Sequence, residues 1–302
     1  MIHLERSLYS VGLAKQYKHI TWECTTVCNY SCSYCWPANH DGVNRWPDEL
    51  QTQQLLSTIE QFRQHQPLSL DIMGGEPTLW PDFVDFCKQL GNNTSITFST
   101  NASRSLRWWS MFDAPVDEIV ISWHPEYTDN QHIMRVIELL HQQYRTVVHL
   151  MDHPLYTAQL NDFYQQLEHS NYQINCQVKK LQHPTNGTMI SAAGTTQSFS
   201  RTTHERADFL QTPWLVDNSE VDINEFYNQA HNQFQGWHCE LGKDYLYIQA
   251  DGEVFGAACR TGGSLGNIYD NYTYQPVAQT CPHVQCLCKA DVQLIGKTRA
   301  IL

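Results

Sequence analysis

Eleven cysteines in 302 residues constrain this chain more than any other feature. Three lie between Cys28 and Cys35, and three more between Cys281 and Cys288. A disulfide framework is a poor explanation. The count is odd, and Met1 to Ile20 holds no apolar core of an export signal. Thiols stay reduced in the cytosol. The expectation is therefore a cytoplasmic protein whose clustered thiols hold metal. Cys24, Cys87 and Cys176 stand apart and read as buried thiols, with Cys24 also a candidate for lining a site.

Hydrophobic residues make up 41% and charged residues 17%, which excludes disorder or a coiled coil as the main state. No run of about 18 apolar residues exists, so no membrane span is expected. The formal charge of -12 argues against a nucleic acid partner, because gripping a phosphate backbone takes clustered cations.

Hydrophobic periodicity predicts strands at 18–23, 68–73, 95–100, 118–123, 146–151 and 172–179. Helices are predicted between them at 47–64, 81–90, 104–112, 130–143 and 157–169. Such alternation implies parallel strands with right-handed crossovers. A full eight-fold barrel needs about 250 residues, so six units predict an open, partial (β/α)6 TIM-like barrel over residues 1–180. Residues 181–236 read as a polar connecting or lid segment, with 205–210 and 224–234 as possible helices. Residues 237–302 read as a small cluster-binding domain. It contains a hairpin whose Asp251-Gly252 predicts a type I′ turn.

Cys28, Cys32 and Cys35 directly follow the first predicted strand. Three thiolates this close suit three irons of a cubane cluster and leave the fourth iron open, whereas iron–sulfur clusters normally take four cysteines. Zinc, or a ferredoxin-type carrier, is the plainer reading. Met73-Gly74-Gly75-Glu76-Pro77 follows at the end of the second strand. Its glycines permit close backbone approach to a ligand, and the Glu76 carboxylate suits an ammonium group. The two motifs together resemble the radical SAM superfamily. By that resemblance Cys28, Cys32 and Cys35 ligate a [4Fe-4S] cluster whose open iron binds S-adenosylmethionine. Tyr34 then sits near the adenine, and Gly74, Gly75, Glu76 and Pro77 hold the methionyl amino group. Ser99, Asn101 and Ser122 are similar to the family's further cofactor contacts. Barrel enzymes build their sites at C-terminal strand ends, where Ser99, Ser122, His124 and His153 all fall. His124 departs from the family's commoner residue and is a candidate catalytic or loop residue, as is Cys24.

Cys239 and Cys259 flank the hairpin, and Cys281, Cys286 and Cys288 follow. This layout resembles the SPASM/twitch extension of the same superfamily. Five candidates for four positions imply one auxiliary [4Fe-4S] cluster, with one of Cys281, Cys286 and Cys288 to spare. A structural zinc is the alternative.

The resemblance implies reductive cleavage of S-adenosylmethionine and hydrogen-atom abstraction from a substrate C–H. An oxidised, crosslinked or epimerised ribosomal peptide is the expected product class. Only about 17 residues precede the first predicted strand, which leaves no room for a separate peptide-recognition domain. A small-molecule dehydrogenase or epimerase is the alternative, as is a non-catalytic electron-transfer protein. A flavodoxin- or ferredoxin-type donor would supply electrons.

Overall fold

Alternating strands and helices fill the first 180 residues of the computed structural model. The structure describes residues 8–13, 17–91, 93–183, 188–191, 197–202, 204–206, 210, 214–216, 219–220, 226, 229–270, 272–286 and 288–300. In chain order come β1 (Leu8–Leu13), β2 (Lys18–Glu23), α1 (Glu49–Arg63), β3 (Leu68–Met73), α2 (Phe83–Gln89), β4 (Thr94–Thr100), α3 (Leu106–Ser110) and β5 (Glu118–Trp123). Then follow α4 (Asn130–Leu140), β6 (Arg145–Asp152), α5 (Thr157–His169), β7 (Ile174–Lys180) and β8 (Ser198–Ser200). The remainder is β9 (Trp214–Val216), β10 (Ser219–Glu220), β11 (His238–Leu241), β12 (Tyr245–Ile248), β13 (Glu253–Phe255), β14 (Ser264–Asn267), β15 (Val277–Thr280), α6 (Lys289–Leu294) and β16 (Lys297–Ala300).

All six predicted strands appear, as β2 to β7. The helices start and stop where caps dictate. Asp48 and Gln51 form a reciprocal capping box at the start of α1, so this helix begins two residues after Pro47. The Asp129 carboxylate accepts from the amides of Gln131 and His132 to start α4. Ile133, Val136, Ile137 and Leu140 then form its buried stripe.

The chain divides into two compact units that do not follow chain order. One comprises residues 23–47 and 71–206. Here β4, β5, β6 and β7 pair in parallel and in sequence. The outer edge of β7 carries the antiparallel β8, so the parallel run ends there instead of continuing. Trp123 and Phe163 stack between β5 and α5 with ring centroids 5.7 Å apart.

The other unit comprises residues 1–22, 48–70 and 207–302. The hairpin strand β12 pairs in parallel with β2 in the register Tyr245↔His19 to Ile248↔Trp22. The ammonium of Lys18 donates to the carbonyl of Lys243 and, at 3.0 Å, to the Asp244 carboxylate, which pins that pairing. An antiparallel sheet runs β10-β9-β1-β16-β11-β15. Its β1 precedes what the sequence marked as the first strand.

The hairpin turn differs from the expected type I′. That turn needs positive φ at both central residues, but of the turn residues only Gly252 has it, at 88°. The amide of Gly252 donates to the carbonyl of Gln249, and that of Gln249 to Glu253. The connection is thus a three-residue loop with glycine in the left-handed position. Of the helices expected at 205–210 and 224–234, residues 207–209, 224–225 and 227–228 lie outside the described residues; residues 205–206 and 229–234 form turn and irregular chain, not helix. What is described between 197 and 220 includes short strands. No described helix is long and apolar enough to cross a membrane.

Candidate cofactor and cluster sites

Where β2 ends, the chain keeps bonding to the segment that follows β3. The Cys24 amide donates to Met73 at 2.8 Å, that of Gly75 to Thr25 at 2.7 Å, and that of Glu76 to Val27 at 2.8 Å. This contact explains the paired glycines. A Cβ on Gly74 would sit 2.4 Å from the Thr25 oxygen, and one on Gly75 2.3 Å from the Val27 oxygen. Gly74 also has φ of 139°. The close approach that the sequence reading assigned to a ligand is, in part, an approach to the chain's own route into Cys28.

Glu76 is tied into its own chain. Its carboxylate is completely buried and carries four hydrogen bonds. The Thr78 amide (3.1 Å) and hydroxyl (2.6 Å) and the Thr100 hydroxyl (2.7 Å) donate to Oε1. The Asn101 amide donates to Oε2 at 2.6 Å. Burial pushes its pKa up, against the pull of these donors. The carboxylate therefore braces the loops after β3 and β4, and Glu76 is not among the residues that line the cavity beside Cys28. Pro77 is buried and starts the short 3-10 turn that follows.

Cys28, Cys32 and Cys35 line one cavity of about 160 Å³ with Gly74, Gly75 and Asn101. Ser99, Ser122 and His124 line it too. Burial pushes the Cys28 thiol up to about 11 and Cys32 to about 12. Both are protonated at neutral pH until something binds, so metal loading must release protons. The Asn101 side chain donates to Asn29 at 2.9 Å, tying the loop after β4 to the cysteine loop. Cys24 is buried and is not among the cavity residues. Tyr34 also stands off that lining. Its ring stacks on His124, with centroids 6.0 Å apart, and its hydroxyl meets His124 Nδ1 at 2.9 Å. His153 caps the turn after β6, its Nδ1 accepting from the Leu155 amide.

The loop after β5 grips the cysteine loop more than its sequence signals. Glu126 accepts from the Ser33 amide at 2.8 Å and the Ser33 hydroxyl at 2.5 Å. The Tyr127 hydroxyl donates to the Ser31 carbonyl, and the Tyr127 ring stacks on Tyr30 at 5.0 Å. Only proximity to the end of β5 hinted at Glu126, and nothing hinted at Tyr127.

The other five cysteines meet in the second unit. Cys239, Cys259, Cys281, Cys286 and Cys288 all line one cavity of about 280 Å³. Burial pushes Cys239 and Cys286 up to about 12 and raises Cys259 and Cys288. Asp291 accepts from the amides of Ala258 (2.8 Å) and Cys259 (2.9 Å). Lys297 lines the same cavity, a residue the sequence reading missed. Among the described residues, no three His, Cys, Asp or Glu side chains close around a point as single-ion ligands.

A parallel α/β fold, with a three-cysteine loop after one strand and a Gly-Gly-Glu-Pro segment after the next, defines a class. Residues 22–124, about a third of the chain, match the Radical SAM superfamily model. A mycofactocin maturase, MftC, of Mycobacterium ulcerans is 34% identical over 102 residues, 30% of this chain and 26% of that protein. A GTP 3',8-cyclase of Pasteurella multocida is 28% identical over 93 residues, 30% of this chain and 28% of that protein. The chain thus matches about a quarter of the length of these curated relatives. Among solved structures, Streptococcus suis SuiB bound to precursor peptide SuiA superposes with a TM-score of 0.54 at 12% identity, covering 87% of this chain and 64% of that one. Native anSMEcpe with bound AdoMet gives 0.52 at 14% identity, covering 84% and 79%. These likenesses show the fold, an α/β partial barrel with added antiparallel strands.

Proposed function

We propose that this chain is a radical SAM enzyme that modifies a peptide. Cys28, Cys32 and Cys35 would hold a [4Fe-4S] cluster, and the backbone of Gly74 and Gly75 with Ser99, Asn101 and Ser122 would hold S-adenosylmethionine beside it. The observation that carries this reading is the convergence of those three thiols and the glycine pair on one cavity, inside the segment that matches the superfamily. The residues fit the group. Three thiols, and not four, line the cavity, with Ser99, Thr100, Asn101 and Ser122 among their polar neighbours. When bound, cluster and cofactor supply a 5'-deoxyadenosyl radical able to take a hydrogen atom from a substrate C–H. The protein's part is positioning. Glu76 fixes the loops after β3 and β4, Asn101 ties the cysteine loop to β4, and Glu126 ties it to β5.

Peptide modification is supported by the maturase relative and by the peptide-bound structural neighbour. Four of the five C-terminal cysteines would hold one auxiliary [4Fe-4S] cluster in a SPASM/twitch-type extension, and a flavodoxin- or ferredoxin-type protein would donate electrons. The cyclase relative supports a second reading, in which the substrate is a small molecule. Anaerobic reduction with S-adenosylmethionine should release 5'-deoxyadenosine and methionine. Cys32→Ala should abolish that release, and undiminished release would overturn the cluster assignment. Precursor peptides encoded beside the gene, offered in turn, should stimulate turnover; stimulation only by a small metabolite would favour the second reading.

A further inference from the structure

The cavity lined by five thiols also holds a buried cation. Lys297, at the start of β16, is 2% exposed. Its ammonium donates to the carbonyls of Asp291, of Ile295 at 3.0 Å and of Val292 at 3.5 Å. It lies 5.1 Å over the Phe234 ring. Its acceptors are thus carbonyl dipoles and a ring face. The Asp291 carboxylate shares the cavity wall and supplies one negative charge, its oxygens accepting from the Ala258 and Cys259 amides. A buried charge without a full counter-ion is costly, and burial is tolerated when an opposite charge completes the site. The cavity wall that Lys297 shares includes five thiols, which bind metal as thiolates.

We infer that Lys297 is the charge-compensating residue of the C-terminal cysteine site, holding a thiolate-ligated iron–sulfur cluster and raising its reduction potential. The inference rests on the auxiliary-cluster reading above. Each electron accepted from a reductant makes a thiolate-ligated cluster more negative. A fixed positive charge beside it therefore stabilises the reduced state over the oxidised one. The plainer role, in which Lys297 only caps the C-terminal carbonyls of α6, predicts a different outcome. Losing a cap loosens the site and admits water, which favours the more charged, reduced state and moves the potential upward or leaves it unchanged.

The test uses the full chain carrying Cys28→Ala, Cys32→Ala and Cys35→Ala, so that only the C-terminal cluster is read. Dithionite titration followed by electron paramagnetic resonance gives its potential. Lys297→Met should load the same iron and shift the potential to more negative values, while Lys297→Arg stays near the parent. An unchanged or more positive potential in loaded Lys297→Met overturns the inference. Should Lys297→Met fail to load while Lys297→Arg loads, the charge is required for assembly and the inference stands. Should neither load, Lys297 acts through the packing of α6 and the charge role is rejected. A parent with no iron at this site would overturn the auxiliary-cluster reading itself, a separate result.

Discussion

Single side chains at the first site brace the loops around its cavity. The Glu76 carboxylate spends four hydrogen bonds on its own chain. Glu76→Gln would turn an acceptor into a donor facing another donor. Hydrogen bonds to charged groups contribute about 1.5–3 kcal/mol each, and leaving a buried partner unsatisfied costs about as much. The variant should unfold with a stability lower by about 2 kcal/mol, checked by denaturant titration; an unchanged midpoint would reject the bracing role. His124 supports a pH prediction. Burial holds its pKa at about 4, below the ordinary 6.5. Between those values the unfolded chain binds the proton that the folded chain refuses, so stability falls as pH drops through that window. Thermal unfolding of the metal-free chain at pH 7 and pH 5 should show a smaller loss in His124→Gln than in the parent. Equal losses would place the acid sensitivity elsewhere.

At the scale of elements, the cysteine loop is clasped from two sides. The segment after β3 holds its beginning through backbone bonds that only glycines permit. The segment after β5 holds its middle through Glu126, Tyr127 and His124. Both bonds from Ser33 end on Glu126, so one truncation releases that side. Glu126→Ala should speed chelator-driven loss of iron from the first site several-fold. That corresponds to about 1 kcal/mol, the lower end for charged hydrogen bonds because the contact is solvent-exposed. Iron release at the parental rate would show that the β5 loop is only a neighbour.

For the whole molecule, two separate cysteine sites imply a countable metal content. The reconstituted protein should bind about eight irons, two four-iron cubanes. Replacing Cys239 and Cys259 together by Ala should remove about four of them and loosen the C-terminal strands, because metal binding contributes folding energy to small elements. Iron and sulfide analysis decides it. About four irons accompanied by zinc in the parent would make the C-terminal site a zinc site.

The sequence by itself determined the features that are local. Strand–helix alternation is written in hydrophobic period, so β2 to β7 were legible before any contact was known. The two cysteine groups and Gly74-Gly75-Glu76-Pro77 were legible because close-set ligands and a glycine pair leave a short-range trace. Boundaries shifted where a cap decided them, as Asp48 does for α1. Tertiary structure alone decided the rest. The strand β1 pairs with β16, nearly the whole chain away, and no local pattern reports a partner at that distance. The bonds that Glu76 receives from Thr78, Thr100 and Asn101 are likewise set only by folding. Lys297 reads as an ordinary surface cation until packing buries it in the wall of a cavity that five thiols also line. Charge compensation depends on burial and neighbours, and those exist only once the chain has closed around them.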